Sequence, residues 1–340
     1  MTLPADLKLS LLDLVAVREG GDAAEAIALA VRTARHVEAL GFTRLWLAEH
    51  HNMPGIASSA TAVLIGHIAG ATERIRVGSG GIMLPNHAPL MVAEAFGTLE
   101  AIYPGRIDLG LGRAPGTDQL TLRALRRDRI GTEADFPREV IELIHLLNTP
   151  DPGQAVVAVP GSGSHVPIWL LGSSLFSASL AAQLGLPYAF AAHFAPRMLN
   201  QALQVYRSQF QPSAALDAPY VIVGVPVVGA DSDEEARYLT SSVQQRVLGI
   251  VRGERSPLRP PVADFMTRVP PQEREAIDSF LGAAIVGGPD TLRAGFEALH
   301  ARTRADEFML VSDVFDVDLR LRSLSLAAAA AGLGRDLPTP

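Results

Sequence analysis

Thr43-Arg44-Leu45-Trp46-Leu47-Ala48 is an apolar run of strand length, closed by Glu49-His50-His51-Asn52 and followed by a helical pattern over 61–71. Strand 75–79, helix 89–102 and strand 106–111 come next in turn. The strands are apolar on both faces and alternate with helices, the pattern of a parallel sheet buried beneath covering helices. Toward the N-terminus, residues 8–15 read as an earlier strand. Asp22 with Glu25 three residues on has the spacing of an N-terminal capping box. Ile27, Val31, Ala34 and Val37 then share one helical face, and Gly41 ends the helix. Toward the C-terminus, helix 137–147 precedes strand 167–171, helix 175–184 precedes strand 188–192, and helix 196–210 precedes strand 220–228. Helix 233–247 leads through an irregular stretch and a short apolar segment, 284–286, to helix 289–302, strand 307–311 and helix 319–330. Eight strands with intervening helices predict an α/β fold of one kind: a single (β/α)8 TIM barrel with loop insertions, residues 1–340 as one domain.

Two segments break the rhythm. Residues 155–164 are rich in glycine and serine and read as a loop excursion. Residues 251–271 carry Pro257, Pro260, Pro261, Pro270 and Pro271, and with the residues up to 284 form an insertion. It reads equally as a surface excursion or as a lid over the barrel mouth, the use to which enzymes often put long loops.

Composition narrows the classes. With 340 residues, 48% of them hydrophobic, the chain can bury a full core. The net charge is −7, with both signs interspersed and no basic block, which argues against nucleic acid or an anionic membrane as partner. The chain has no cysteine, so disulfides, thiolate metal sites, iron–sulfur clusters and thiol nucleophiles are excluded. The start, Met1-Thr2-Leu3-Pro4-Ala5-Asp6, lacks the pattern of a signal peptide. No uncharged apolar run approaches the ~18 residues of a membrane span. A cytoplasmic protein is expected.

Barrel enzymes gather their chemistry at the carboxyl ends of the strands, and four such places stand out. After strand two comes Glu49-His50-His51-Asn52. Side chains alternate faces along a strand, so His50 and His51 should not share one metal ion, and no His-Glu-x-x-His pair exists. No metal site is predicted. Imidazole suits proton transfer near neutral pH, and His50, beside a carboxylate and an amide, is the candidate acid/base. His51 is as open to a structural role as to a functional one. After strand three, Gly78-Ser79-Gly80-Gly81 reads either as a tight turn or as a place where a flat ring approaches the backbone. After strand four, Gly110-Leu111-Gly112-Arg113-Ala114-Pro115-Gly116 has the wrong spacing for a dinucleotide fingerprint, but Arg113 can fork onto a phosphate. After strand five, Ser173, Ser174 and Ser177 cluster at a helix start, where free N–H groups favour an anion.

These stretches resemble the bacterial luciferase-like monooxygenase family, in particular its single-chain members akin to the alkanal monooxygenase alpha chain. The resemblance spans nearly the whole chain. It rests on Ala48-Glu49-His50-His51-Asn52, on residues 77–87 from Val77 through Gly80-Gly81 to His87, on residues 103–113 from Tyr103-Pro104-Gly105 to Arg113, and on Asp306-Glu307-Phe308-Met309-Leu310-Val311. It implies that His50 is the catalytic histidine and that Gly80–Gly81 is a cis peptide beneath a flavin ring. It also implies that Arg113, Ser174 and Ser177 contact the flavin phosphate. Ser173 stands where luciferase carries an acidic residue and Gly112 where it carries a cysteine, departures that count against aldehyde-driven light emission but not against flavin binding.

The implied reaction uses dioxygen and reduced FMN supplied by a separate flavin reductase, since the chain has no nicotinamide fingerprint. One oxygen atom passes to a small organic substrate and the other leaves as water. The resemblance further implies a homodimer paired through helices 61–71 and 89–102, which are apolar nearly all round; burial within one barrel would explain them as well. An F420-dependent hydride transferase and a non-catalytic flavin-binding protein are the nearest alternatives. A divalent-metal hydrolase ranks last, because histidines and aspartates are not spread over several strand ends.

Overall fold

In the computed structural model, which describes residues 3–114, 119–125 and 135–333, eight parallel strands close on themselves. They are β1 (Lys8–Asp13), β2 (Arg44–Leu47), β3 (Arg76–Met83), β4 (Ile107–Gly112), β5 (Ile168–Gly172), β6 (Tyr188–Phe190), β7 (Val221–Gly229) and, after the short β8 (Ile285–Gly287), β9 (Glu307–Val311). Each of the first seven pairs with its successor, β7 pairs with β9, and β9 pairs with β1 to close the ring. The extra strand β8 adds to the outer end of β7, at Val227–Gly229. This is the (β/α)8 barrel the alternation predicts. Residues 1–2, Pro115-Gly116 of the arginine-bearing loop and residues 334–340 lie outside the described residues.

The helices between the strands are α1 (Ala23–Ala39), α2 (Thr61–Gly70), α3 (Pro89–Ile102), α4 (Gln119–Leu125), α5 (Phe136–Leu147), α6 (Leu175–Gln183), α7 (Leu199–Gln209), α8 (Asp233–Arg252), α9 (Pro271–Phe280), α10 (Pro289–Thr303) and α11 (Val317–Ala331). Half of the predicted capping box forms. The Asp22 carboxylate accepts from the Glu25 amide at 2.8 Å, but the Glu25 side chain turns to Arg18 instead of returning to the cap. Neither α4 nor α9 is predicted by periodicity. α9 lies within the proline-rich insertion, where Pro270 and Pro271 set its start, Pro being suited to the first helical turn. It buries Ile277 against Leu239 and Val243 of α8, in a small core of its own beside the barrel. Among the described residues no helix is long and apolar enough to cross a membrane.

Inside the barrel the strands alternate. Leu9, Leu11, Leu45, Leu47 and Val77 point out to the helices, whereas Leu12, Trp46, Trp169, Ile222 and Met309 point inward and pack on one another. Below this apolar layer lies a charged one. The Arg44 guanidinium, 6% exposed, holds Asp108 Oδ2 through Nη1 and Glu307 Oε1 through Nε, both at 2.8 Å. Burial opposes its charge, but the carboxylates of Glu307 and Asp108 outweigh that cost and keep it firmly protonated. Trp46 Nε1 and Tyr220 Oη donate to the same two carboxylates, at 3.2 and 2.8 Å. The barrel is therefore plugged at one end and open for chemistry only at the other.

Candidate active site

At the carboxyl ends of the strands the barrel opens into a cavity of about 550 Å³. His50, three residues past the end of β2, forms part of its wall. His51 does not: its Nε2 donates to Glu49 Oε1 at 2.7 Å, and His87 Nε2 donates to the same oxygen at 2.8 Å. Glu49 Oε2 accepts from the Met83 amide at 3.0 Å. Burial works against the Glu49 charge, but the hydrogen bonds from His87, His51 and Met83 prevail and hold its carboxyl below the usual range. The knot ties the end of β2 to the turn after β3, and it faces His51 away from the wall that holds His50. The chain predicts no metal site, and alternation along the strand does keep His50 and His51 apart. Through the fold His87 brings a third ligand atom, within 4.8 Å of those of Glu49 and His51, a spacing open to an ion as well as to these hydrogen bonds.

Gly80 and Gly81 also line the cavity, but from inside β3, not from a turn after it. Pairing with β4 slips between Ser79 and Ile82, so the two glycines form an irregularity within a continuous strand. The peptide between them is cis, as the resemblance implies. A Cβ at Gly80 would lie 2.6 Å from Leu12 Cδ1, and one at Gly81 would lie 2.6 Å from the Gly110 carbonyl oxygen. Only glycine leaves this floor as bare backbone.

The remaining predicted residues come together on one flank. Arg113 leaves the end of β4 and lays its guanidinium over the Phe176 ring, 4.5 Å from the centroid. Ser173 and Ser174 line the cavity at the start of α6. Ser174 occupies the N-cap position, yet its hydroxyl caps no amide, so the first-turn N–H groups keep their capacity for an external acceptor. Ser177 is more committed, its hydroxyl donating to the Ser174 carbonyl at 3.0 Å.

Sequence reasoning passed over one histidine. His193 follows β6, which stands four strands from β2 in either direction around the ring, so it reaches the cavity from the side opposite His50. Gly224 of β7 makes the room, since a Cβ there would lie 2.5 Å from His193 Nδ1. That nitrogen is buried without a hydrogen-bond partner among the described residues. Burial, and then the charge of His50, push the imidazole down to about 4, so it is neutral at physiological pH. The strand-end rule applied to Ala191-Ala192-His193 would have found it. The insertion also supplies wall residues, Glu254, Arg255 and Ser256 among them, and α8 adds Arg246.

Known proteins share this fold. The family model for luciferase-like monooxygenases matches residues 7–306. A luciferase-like monooxygenase of Escherichia coli (strain K12) is 51% identical over 318 residues, covering 94% of this chain and 95% of that one. The crystal structure of apo-MsnO8 superposes with a TM-score of 0.86 at 34% identity, over 96% of this chain and 99% of that one. The oxygenating constituent of 3,6-diketocamphane monooxygenase from Pseudomonas putida, solved in complex with FMN, shares the fold at a TM-score of 0.73 and 17% identity, over 100% of both chains. The chain belongs to the luciferase-like monooxygenase family and is an oxidoreductase of that kind.

Proposed function

We propose that this chain uses reduced FMN and dioxygen to oxygenate a small organic substrate, with His50 as the proton donor and acceptor. The observation that carries the reading is convergence. Residues from the ends of β2, β4 and β5 and from within β3, chosen from sequence alone, line a single cavity. The residues suit FMN. The uncapped start of α6 and the Arg113 guanidinium offer donors and positive charge to a phosphate, and the side-chain-free Gly80–Gly81 backbone accepts a flat ring. Reduced FMN, when bound, supplies the two electrons that take one atom of dioxygen to water while the other enters the substrate. The protein's part is to bind, orient and keep dry. Trp46, Ala48, Leu171 and Ile222 give the cavity apolar walls that exclude bulk water. His50 moves a proton at its imidazole. In this reading a separate reductase reduces the flavin, in keeping with a sequence that carries no nicotinamide fingerprint.

The test is incubation under ¹⁸O₂ with chemically reduced FMN and a panel of aldehydes, ketones and thioethers, read by mass spectrometry. One ¹⁸O atom per product molecule supports the proposal. Tighter binding of reduced F420 than of reduced FMN, with no label incorporated, would assign hydride transfer instead. FMN binding with neither activity would leave a flavin-binding protein.

Arg113→Ala is expected to weaken FMN binding roughly ten- to hundredfold, the range of one charge-assisted hydrogen bond. A fluorescence titration measures this directly, and unchanged affinity would remove Arg113 from the phosphate site. The same reading pairs two copies through α2 and α3, whose outer faces leave Val63 71% and Met91 69% exposed. Sedimentation at micromolar concentration is expected to give a dimer. A monomer alone would end that part of the proposal.

A further inference from the structure

Beyond the strand ends, the cavity is walled by α8 and the insertion that follows it. Val243, Val247 and Ile250 of α8, with Leu281 and Val286, give this wall its apolar part, and Glu254, Arg255 and Ser256 of the insertion its polar part. Arg246 is set among them. Its side chain is 18% exposed, and its Nη1 stands 2.9 Å from Oδ2 of Asp313, just past the end of β9. The contact joins two charges without aligning a hydrogen bond, for Nη1 is buried with no hydrogen-bond partner among the described residues. A guanidinium carries five N–H donors in a fixed plane and does not lose its charge. Held beside apolar residues with one off-line carboxylate, its Nη1 is under-satisfied, a costly state unless something else takes up that donor. Both Arg246 and Asp313 line the cavity itself.

We infer that Arg246 is the anchor for a carboxylate head group on a substrate whose remaining body is apolar. Two parallel N–H donors match two carboxylate oxygens, a geometry that neither a lysine nor a neutral backbone group reproduces. Asp313 acts through Arg246: it holds the fork in place across the gap between α8 and β9 and offsets part of its charge, so the chamber favours one carboxylate over a more highly charged group. The apolar residues around the fork take the body of the substrate. The inference rests on the reading of this cavity as the site of oxygenation, and it narrows the substrate class to apolar monocarboxylates.

Calorimetric titration of the intact protein with octanoate and with octanamide separates charge recognition from chain burial, since the two probes share a body and differ in the head. Octanoate is expected to bind roughly tenfold or more tightly than octanamide. Arg246→Met is expected to remove that preference while leaving octanamide and FMN affinities unchanged. Should Arg246→Met also lose FMN binding, Arg246→Lys decides the question, since it keeps charge and packing but not the fork. Its octanoate affinity is expected to fall while FMN binding stays. Equal binding of the two probes by the wild type, no binding of octanoate, or undiminished octanoate affinity in Arg246→Lys overturns the inference. A protein that discriminates the probes but does not bind FMN contradicts the proposed cofactor and leaves the anchor standing.

Discussion

His50→Asn is expected to turn over roughly 10²- to 10⁴-fold more slowly than the wild type, the span that a positioned proton-transfer group contributes. Flavin affinity is expected to hold, because Arg113 and the serines proposed for the phosphate lie at the ends of β4 and β5, not on β2. The cavity offers a second imidazole, which makes the prediction specific. His193 stays neutral down to about pH 4, so it does not change charge between pH 5 and 8, where an ordinary histidine does. His193→Gln should therefore leave the pH dependence of the rate between pH 5 and 8 in place, whereas His50→Asn should slow the reaction itself. Rates within threefold of wild type for His50→Asn, with flavin bound, would sink the assignment. Linkage adds a check on folding. The neutral His193 stabilises the fold fully above its ordinary value of 6.5, and that contribution is lost as the pH falls through about 4.

The largest effect on stability is expected at Arg44. Replacing it with methionine leaves Glu307, 0% exposed at its side chain, without its guanidinium and leaves Asp108, 1% exposed, with Arg76 as its one remaining ion-pair partner among the described residues. Breaking a buried ion pair from one side costs about 3–5 kcal/mol, because the remaining charge stays desolvated. The loss here should reach the upper part of that range, since one guanidinium serves two carboxylates and also lies 4.4 Å from the centre of the Trp169 ring. Urea unfolding measures it as a fall in the midpoint at unchanged slope. A loss below about 1 kcal/mol would mean that Asp108 finds enough in Arg76, which also holds it at 2.6 Å, and that Glu307 takes up a proton.

Much of the architecture is legible without coordinates. The bounds of α3 and β9 are those that periodicity predicts, and most other elements differ by a few residues. The reason is local: a side-chain period of two or of nearly four residues shows in the chain itself, and Asp22 and Gly41 mark the two ends of α1, one through its side chain and the other through its backbone. The strand-end rule then selects His50, Arg113 and the serines, because in a parallel barrel all strand ends face one way. By the same logic His50 and His51 part company, and the structure adds what His51 does instead, bonding the Glu49 carboxylate.

The cluster Trp46-Leu47-Ala48-Glu49-His50-His51 and its repeating context thus determine by themselves a strand-and-helix barrel with its reactive groups at one mouth. Tertiary structure alone decides which distant residues meet there. The meeting of His87 with Glu49 spans 38 positions of chain, and that of Arg246 with Asp313 spans still more. No local period encodes either. The same holds for the place of Gly80–Gly81 inside β3, for β8 on the outer end of β7, and for the space at Gly224 that admits His193. Each depends on what the neighbouring strand leaves free, a property of packed surfaces that exists only once the ring is closed.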